Sequence, residues 1–229
     1  MKKLVIFDLD GTILNTISDL GTAANYALSK NGFPTHSLAS YPFFVGNGVK
    51  KLIERTLPED ARKEETVDML LADFKSYYND HLAVFTKPYD GIVELMHNLK
   101  ERGIKMAVAS NKYQLAVDAI VSTYFSDIDF VSSEGQKDSV PIKPDPSIVF
   151  AILEKAGISK QETLYVGDSG VDMETARRAC VDSVGVTWGF RQEKELKDSF
   201  ATFIVDKPSK ILDIAVAEDP LSLIDDKLR

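Results

Sequence analysis

Residues 4–9 form a short run, apolar apart from Asp8 and closed by Asp10-Gly11, as expected of a strand buried on both faces of a parallel sheet. Runs 105–109, 163–166 and 183–186 share that pattern, and 128–131 and 202–205 share it more weakly. Between these runs the apolar period lengthens to that of a helix. Ile92, Leu95, Met96 and Leu99 keep to one helical face, as do Val149, Ile152, Leu153 and Ala156. Strand and helix therefore alternate, which predicts an α/β fold: a Rossmann-like parallel sheet flanked by helices and joined by right-handed crossovers.

Residues 15–87 break the alternation. They carry two long helical patterns, one through Leu20, Ala23, Ala24, Ala27 and Leu28 and one through Val67, Leu70, Leu71, Phe74, Tyr77 and Tyr78, and no clear strand. The expectation is a helical insertion, residues 15–87, after the first strand, so that residues 1–14 and 88–229 make the α/β core. The chain re-enters the core near Lys87-Pro88-Tyr89-Asp90-Gly91, whose proline and glycine suit a turn or hinge. No internal repeat is present, and the acidic tail from 217 to 229 is expected to end in a short helix.

Polar residues placed directly after buried strands then stand out, because ligand sites of open α/β sheets lie beyond the carboxyl ends of their strands. Asp8-Leu9-Asp10-Gly11-Thr12 follows the first strand, and the period of two points Asp8 and Asp10 to one side. Two carboxylates so placed repel unless a cation or proton lies between them. Turn formation accounts for Asp10 and Gly11 but gives no reason for Asp8 inside an apolar run. Gly167-Asp168-Ser169-Gly170-Val171-Asp172 follows another such strand. Asp168 and Asp172 suit helix caps as well as hard oxygen ligands for magnesium. Ser110-Asn111-Lys112 ends a third strand, where its hydroxyl and N–H groups suit either a cap or phosphate oxygens. Lys143 lies in Ile142-Lys143-Pro144-Asp145-Pro146, whose prolines stiffen the backbone around it.

Composition narrows the partners. With 229 residues, 44% hydrophobic and 27% charged, the chain can bury a full core. Its net charge of −8 disfavours nucleic acid and acidic membranes, so a phosphate must be held by a local cluster of donors. One cysteine, Cys180, cannot form an internal disulfide, which fits a reducing cytoplasm. Asp8 and Asp10 interrupt the N-terminal apolar run too early for a signal peptide, and no stretch approaches the roughly 20 apolar residues of a membrane span.

The four polar segments resemble, in order, the four motifs of the haloacid dehalogenase superfamily of phosphatases, and the match spans essentially the whole chain. Within that superfamily the likeness is to phosphoglycolate phosphatases, through the cap loop Gly46-Asn47-Gly48-Val49-Lys50-Lys51-Leu52 and the segment Val186-Thr187-Trp188-Gly189-Phe190. The resemblance implies that Asp8 is the nucleophile and Asp10 the general acid and base. It implies Mg2+ held by Asp8, the Asp10 carbonyl and Asp168, with Asp172 behind them. Thr12, Ser110 and Asn111 would then meet phosphate oxygens, Lys143 would offset their charge, and Gly46, Asn47 and Lys50 would meet the remainder of the substrate. Two departures bear on specificity: Asn15-Thr16 replaces an acidic-hydroxyl pair frequent in relatives, and Asn47 stands where histidine is frequent.

The implied function is hydrolysis of a small organic phosphate ester, phosphoglycolate among the candidates, by a monomer or homodimer. A β-phosphoglucomutase-like mutase and a pyrophosphatase keep the same core and stay open. A dehalogenase would not need Asp10, and a phosphonatase would want a cap lysine, for which Lys50 and Lys51 are the candidates. A non-catalytic binding or scaffold protein would be expected to have lost one of Asp8, Asp10 and Asp168.

Overall fold

The computed structural model describes residues 1–223. Strand β1 (Leu4–Phe7) leads through a two-residue strand, β2 (Leu14–Asn15), into helices α1 (Ile17–Lys30), α2 (Val49–Thr56) and α3 (Glu64–His81). The return strand β3 (Lys87–Pro88) pairs antiparallel with β2, Leu14 opposite Pro88. Thereafter helix and strand alternate: α4 (Ile92–Glu101), β4 (Lys105–Tyr113), α5 (Gln114–Tyr124), β5 (Phe130–Gln136), α6 (Ser147–Ala156), β6 (Thr163–Gly167) and α7 (Gly170–Ala179). β7 (Asp182–Val186), α8 (Glu193–Asp198), β8 (Phe203–Val205) and α9 (Pro208–Val216) complete the series. A 3-10 turn at Pro220–Leu223 ends the description, and the rest of the tail expected to be helical lies outside the described residues. No described helix is long and apolar enough to cross a membrane.

The main sheet is parallel throughout, in the order β5-β4-β1-β6-β7-β8. All four residues of β1 are buried, because Val5 and Phe7 pack with α4, α5 and α9 on one face and Leu4 and Ile6 with α6 and α7 on the other. This is why the run reads as continuous rather than alternating. Register positions the site. Phe7 pairs with both Val108 and Val166, so Asp8, Ser110 and Asp168 emerge together along the carboxyl edge of three adjacent strands.

Helices α1, α2 and α3 bury a core of their own from Leu20, Ala23, Ala24, Leu28, Leu52, Ile53, Leu70 and Phe74, as the periodicity of α1 and α3 predicts for those two helices. The β2–β3 pair joins the two crossings between this insertion and the sheet, and at two residues per strand it leaves no apolar pattern to read. Asp19 of α1, itself buried, reinforces the crossing: its carboxylate accepts from the Phe85 and Thr86 amides and, at 2.7 Å, from the Thr86 hydroxyl. Asp19→Ala leaves these donors without partners and is expected to cost about 3 kcal/mol. Urea unfolding of the variant, with an unchanged m-value and a lower midpoint, checks this.

Strand β5 starts and ends later than its apolar residues suggest, running through Glu134 to Gln136 rather than covering 128–131. Burial pushes the Glu134 carboxyl up, but Lys137, Lys155 and Ser132 outweigh it and hold the group at about 2. A paired carboxylate can therefore occupy a strand position that its charge would otherwise exclude.

Candidate active site

The turn after β1 is shaped by Gly11, whose φ of +88° lies in the left-handed region. A Cβ there would fall 2.8 Å from Asp168 Cγ, and one on Gly189 would fall 2.5 Å from Asp168 Oδ2. Asp168 is thus seated between two glycines that admit it only because they lack side chains. The amide of Phe190 donates to its Oδ2 at 2.6 Å, fixing the carboxylate from the β7 side.

Lys143 is the centre of charge. Its ammonium, 2% exposed, donates to Asp8 Oδ1 at 2.8 Å, Asp172 Oδ1 at 2.7 Å and the Ala109 carbonyl at 2.9 Å, which uses all three of its protons. Burial pushes this ammonium down, yet Asp172 and Asp8 together hold it well above its ordinary value. Asp172 does two jobs: its other oxygen accepts from the Ser169 amide and hydroxyl, closing the capping box of α7. Asp172 thus serves the helix start as the N3 partner of the capping box and at the same time faces Lys143. The cap of α7 itself is Ser169, not Asp168.

Asp8, Asp168 and Asp172 each offer an oxygen within 4.8 Å of the others, all three buried. Burial and the neighbouring carboxylate of Asp172 push Asp8 up to about 7 despite Lys143. The same two causes push Asp168 well above the usual carboxylate range. One ammonium is not enough positive charge for three buried carboxylates. A hard divalent cation relieves this repulsion and takes oxygen donors of this kind, so the cluster fits a metal.

Asp10 has different partners. The Thr16 hydroxyl donates to its Oδ1 at 2.6 Å, and the Lys112 ammonium lies 3.0 and 3.2 Å from its two oxygens. Thr16, in the pair that departs from the pattern of relatives, thus orients Asp10. Lys112 is 3% exposed in its side chain; burial pushes its ammonium down, but Asp10 and Tyr78 hold it above its ordinary value.

A cavity opens over these groups and is closed on the helical side by Leu20, Val45, Val49, Leu52, Phe74 and Tyr78. Asp8, Asp10, Ser110, Asn111, Lys143, Asp168, Asp172 and Gly46 line it. Asn111 reaches it with its amide already engaged: Oδ1 accepts from the Lys143 amide, and Nδ2 donates to the carbonyls of Gly46 and Lys143. It therefore holds Lys143 and the cap loop in place. Three expected residues do not line the cavity. Thr12 is fully buried, with a hydroxyl that has no hydrogen-bond partner. Asn47 accepts from Arg55 at 2.7 Å, and Lys50 pairs with Asp68 at 2.9 Å on the outer surface of the insertion. The cap loop meets the cavity with the backbone of Gly46 and Gly48 instead.

Lys112, Tyr78 and Arg191 are among the residues outside the expected set that line the cavity. Lys112 is the last residue of the Ser110-Asn111-Lys112 segment, which was the available signal. Tyr78 reads as one more apolar position of α3. Arg191, beyond Phe190, donates to the carbonyls of Pro42 and Val45 and so fastens the segment that leads into the cap loop to the sheet domain.

The family model of haloacid dehalogenase-like hydrolases matches residues 5–186, and the chain belongs to that family. Within it the chain is a phosphatase similar to the phosphoglycolate phosphatases. Phosphoglycolate phosphatase 1 of Pseudomonas aeruginosa is 30% identical over 232 residues, covering 100% of this chain and 85% of that protein. Phosphoglycolate phosphatase of Mannheimia succiniciproducens is 31% identical, with 93% and 97% covered. The crystal structure of a Lactobacillus delbrueckii subsp. bulgaricus protein superposes with a TM-score of 0.89 at 34% identity, covering 95% of this chain and 100% of that one.

Proposed function

We propose that the chain is a magnesium-dependent phosphatase that hydrolyses a small phosphate monoester, phosphoglycolate first among the candidates, through a phosphoryl group carried on Asp8. The observation that carries this reading is the placement of Asp8: a buried carboxylate at the mouth of β1, fixed by Lys143 and facing an open cavity. Residues 15–87 act as the cap and the remainder as the catalytic core, in a protein of the cytoplasm.

Asp8, Asp168 and the Asp10 carbonyl would hold magnesium, with Asp172 supporting them through Lys143. When bound, the metal supplies the positive charge that lets an anionic carboxylate and an anionic phosphate approach. Asp8 attacks phosphorus, forming an Oδ–P bond as the ester P–O bond breaks, and protonated Asp10 gives its proton to the departing oxygen. Water then attacks phosphorus, its proton passing to Asp10, and Asp8 is regenerated as inorganic phosphate leaves. Ser110 and Thr12 orient phosphate oxygens; the partnerless Thr12 hydroxyl supports this, since it has a proton to offer. Lys143 offsets charge on the transferring group, so catalysis is mainly positioning and electrostatics.

The test is phosphate release from phosphoglycolate, sugar phosphates, nucleotides and pyrophosphate. Release from phosphoglycolate with magnesium, none after chelation, and suppression by calcium, whose coordination is larger and looser, are expected. Full activity after exhaustive chelation would contradict the reading, and a preference for pyrophosphate or interconversion of sugar phosphates would replace it.

A further inference from the structure

Among the described residues, two buried side-chain polar atoms have no hydrogen-bond partner, the Thr12 hydroxyl and the Tyr78 hydroxyl. Tyr78 belongs to α3 and is fully buried, yet it lines the cavity. Its ring stacks on Phe74, 5.3 Å between centroids, and the Lys112 ammonium lies 4.8 Å from the ring centroid. The wall around it is apolar, formed by Leu20, Val45, Val49, Leu52 and Phe74. Arg191, the remaining cation there, has its guanidinium committed to the carbonyls of Pro42 and Val45. The Tyr78 hydroxyl is therefore the uncommitted donor of the cap side, and burial raises its pKa, which keeps it a protonated donor.

Its position relative to Asp10 gives the donor a use. Asp10 must stand beside the leaving oxygen to protonate it, and Lys112 is bonded to Asp10 at 3.0 Å. Lys112 connects Asp10 and Tyr78, since its ammonium is bonded to Asp10 and lies 4.8 Å from the Tyr78 ring centroid. We infer that Tyr78, with Lys112, forms the subsite for a carboxylate on the leaving group, and that this pair, rather than Asn47 or Lys50, sets the preference for phosphate esters of 2-hydroxy acids. The inference deepens the proposed function and rests on it.

Tyr78→Phe removes the hydroxyl alone and is compared with wild type on phosphoglycolate and ethyl phosphate, which differ in the carboxylate. The expected result is a fall of about tenfold or more in kcat/KM for phosphoglycolate, carried by KM, and a smaller fall for ethyl phosphate, so that the preference between them shrinks. The denaturation midpoint should not fall, because the lost hydroxyl had no partner; a merely structural role would lower it and weaken both esters alike. Phosphate release from both esters with an unchanged preference would overturn the subsite and leave the phosphatase reading standing. No release from either ester by wild type would overturn that reading and the subsite together.

Discussion

Asp8→Asn should abolish turnover, by at least about 10⁴-fold, while making the metal-free protein more stable at alkaline pH. The first half follows from chemistry: an amide is a poor nucleophile and a poor magnesium ligand. The second follows from burial. Asp8 is pushed from 3.8 to about 7 by desolvation and by Asp172, against the pull of Lys143. The folded state therefore holds this proton more tightly than the unfolded chain. The stability it contributes is complete below about pH 3.8 and is lost as pH rises through about 7. At pH 8 the ionised carboxylate costs up to about 4 kcal/mol by this linkage. Asparagine does not titrate and can still accept from Lys143, so the variant avoids the loss. Thermal midpoints of the chelated proteins should match near pH 4 and diverge by pH 8, with the variant higher. A variant that is inactive but less stable at pH 8 would contradict the electrostatic account of the site.

Lys143→Met acts in the opposite sense and should be the most destabilising change in the site. All three ammonium protons are used, and methionine leaves Asp8 and Asp172 buried without their cation. The expected cost is about 3–5 kcal/mol, with turnover reduced by about 10³-fold or more. The loss should shrink as pH falls and Asp8 takes up its proton. The double variant Lys143→Met/Asp8→Asn should recover more stability than Asp8→Asn adds to the wild type, because its two effects share one interaction. A recovery no larger than that gain in urea unfolding, or a Lys143→Met variant with unchanged midpoint and turnover, would remove Lys143 from the centre of this network.

The residues legible in the sequence were those whose environment leaves a pattern. β1 announces itself through Leu4-Val5-Ile6-Phe7, buried on both faces, and α3 through Val67, Leu70 and Phe74. β2 and β3 leave no such trace, since their stability comes from tertiary contacts such as those of Asp19. The polar half of β5 was hidden for a related reason: Glu134 is tolerated there through Lys137 and Lys155, the latter in α6 and distant in sequence. In the site, Asp8, Asp10 and Asp168 could be named from their strand ends and Lys143 only in the context they set, and the structure brings all four to one cavity. Lys50 could not be told from Lys112 by residue type. Only folding shows that the former is a solvated surface charge paired with Asp68 and the latter a buried partner of Asp10. Tyr78 was invisible as a polar group, because periodicity registers the ring of a tyrosine and not its hydroxyl.

The central claim is that the phosphoryl group passes through Asp8, and one measurement addresses it directly. Wild-type protein turning over phosphoglycolate with magnesium is quenched in acid within milliseconds, reduced with borohydride, digested and examined by mass spectrometry. Borohydride converts an aspartyl-phosphate to homoserine and leaves a free carboxylate untouched. Homoserine at position 8, absent from the chelated control and from Asp8→Asn, is the result expected. Homoserine at Asp10 or Asp168, or turnover with no reducible intermediate at any quench time, would contradict it.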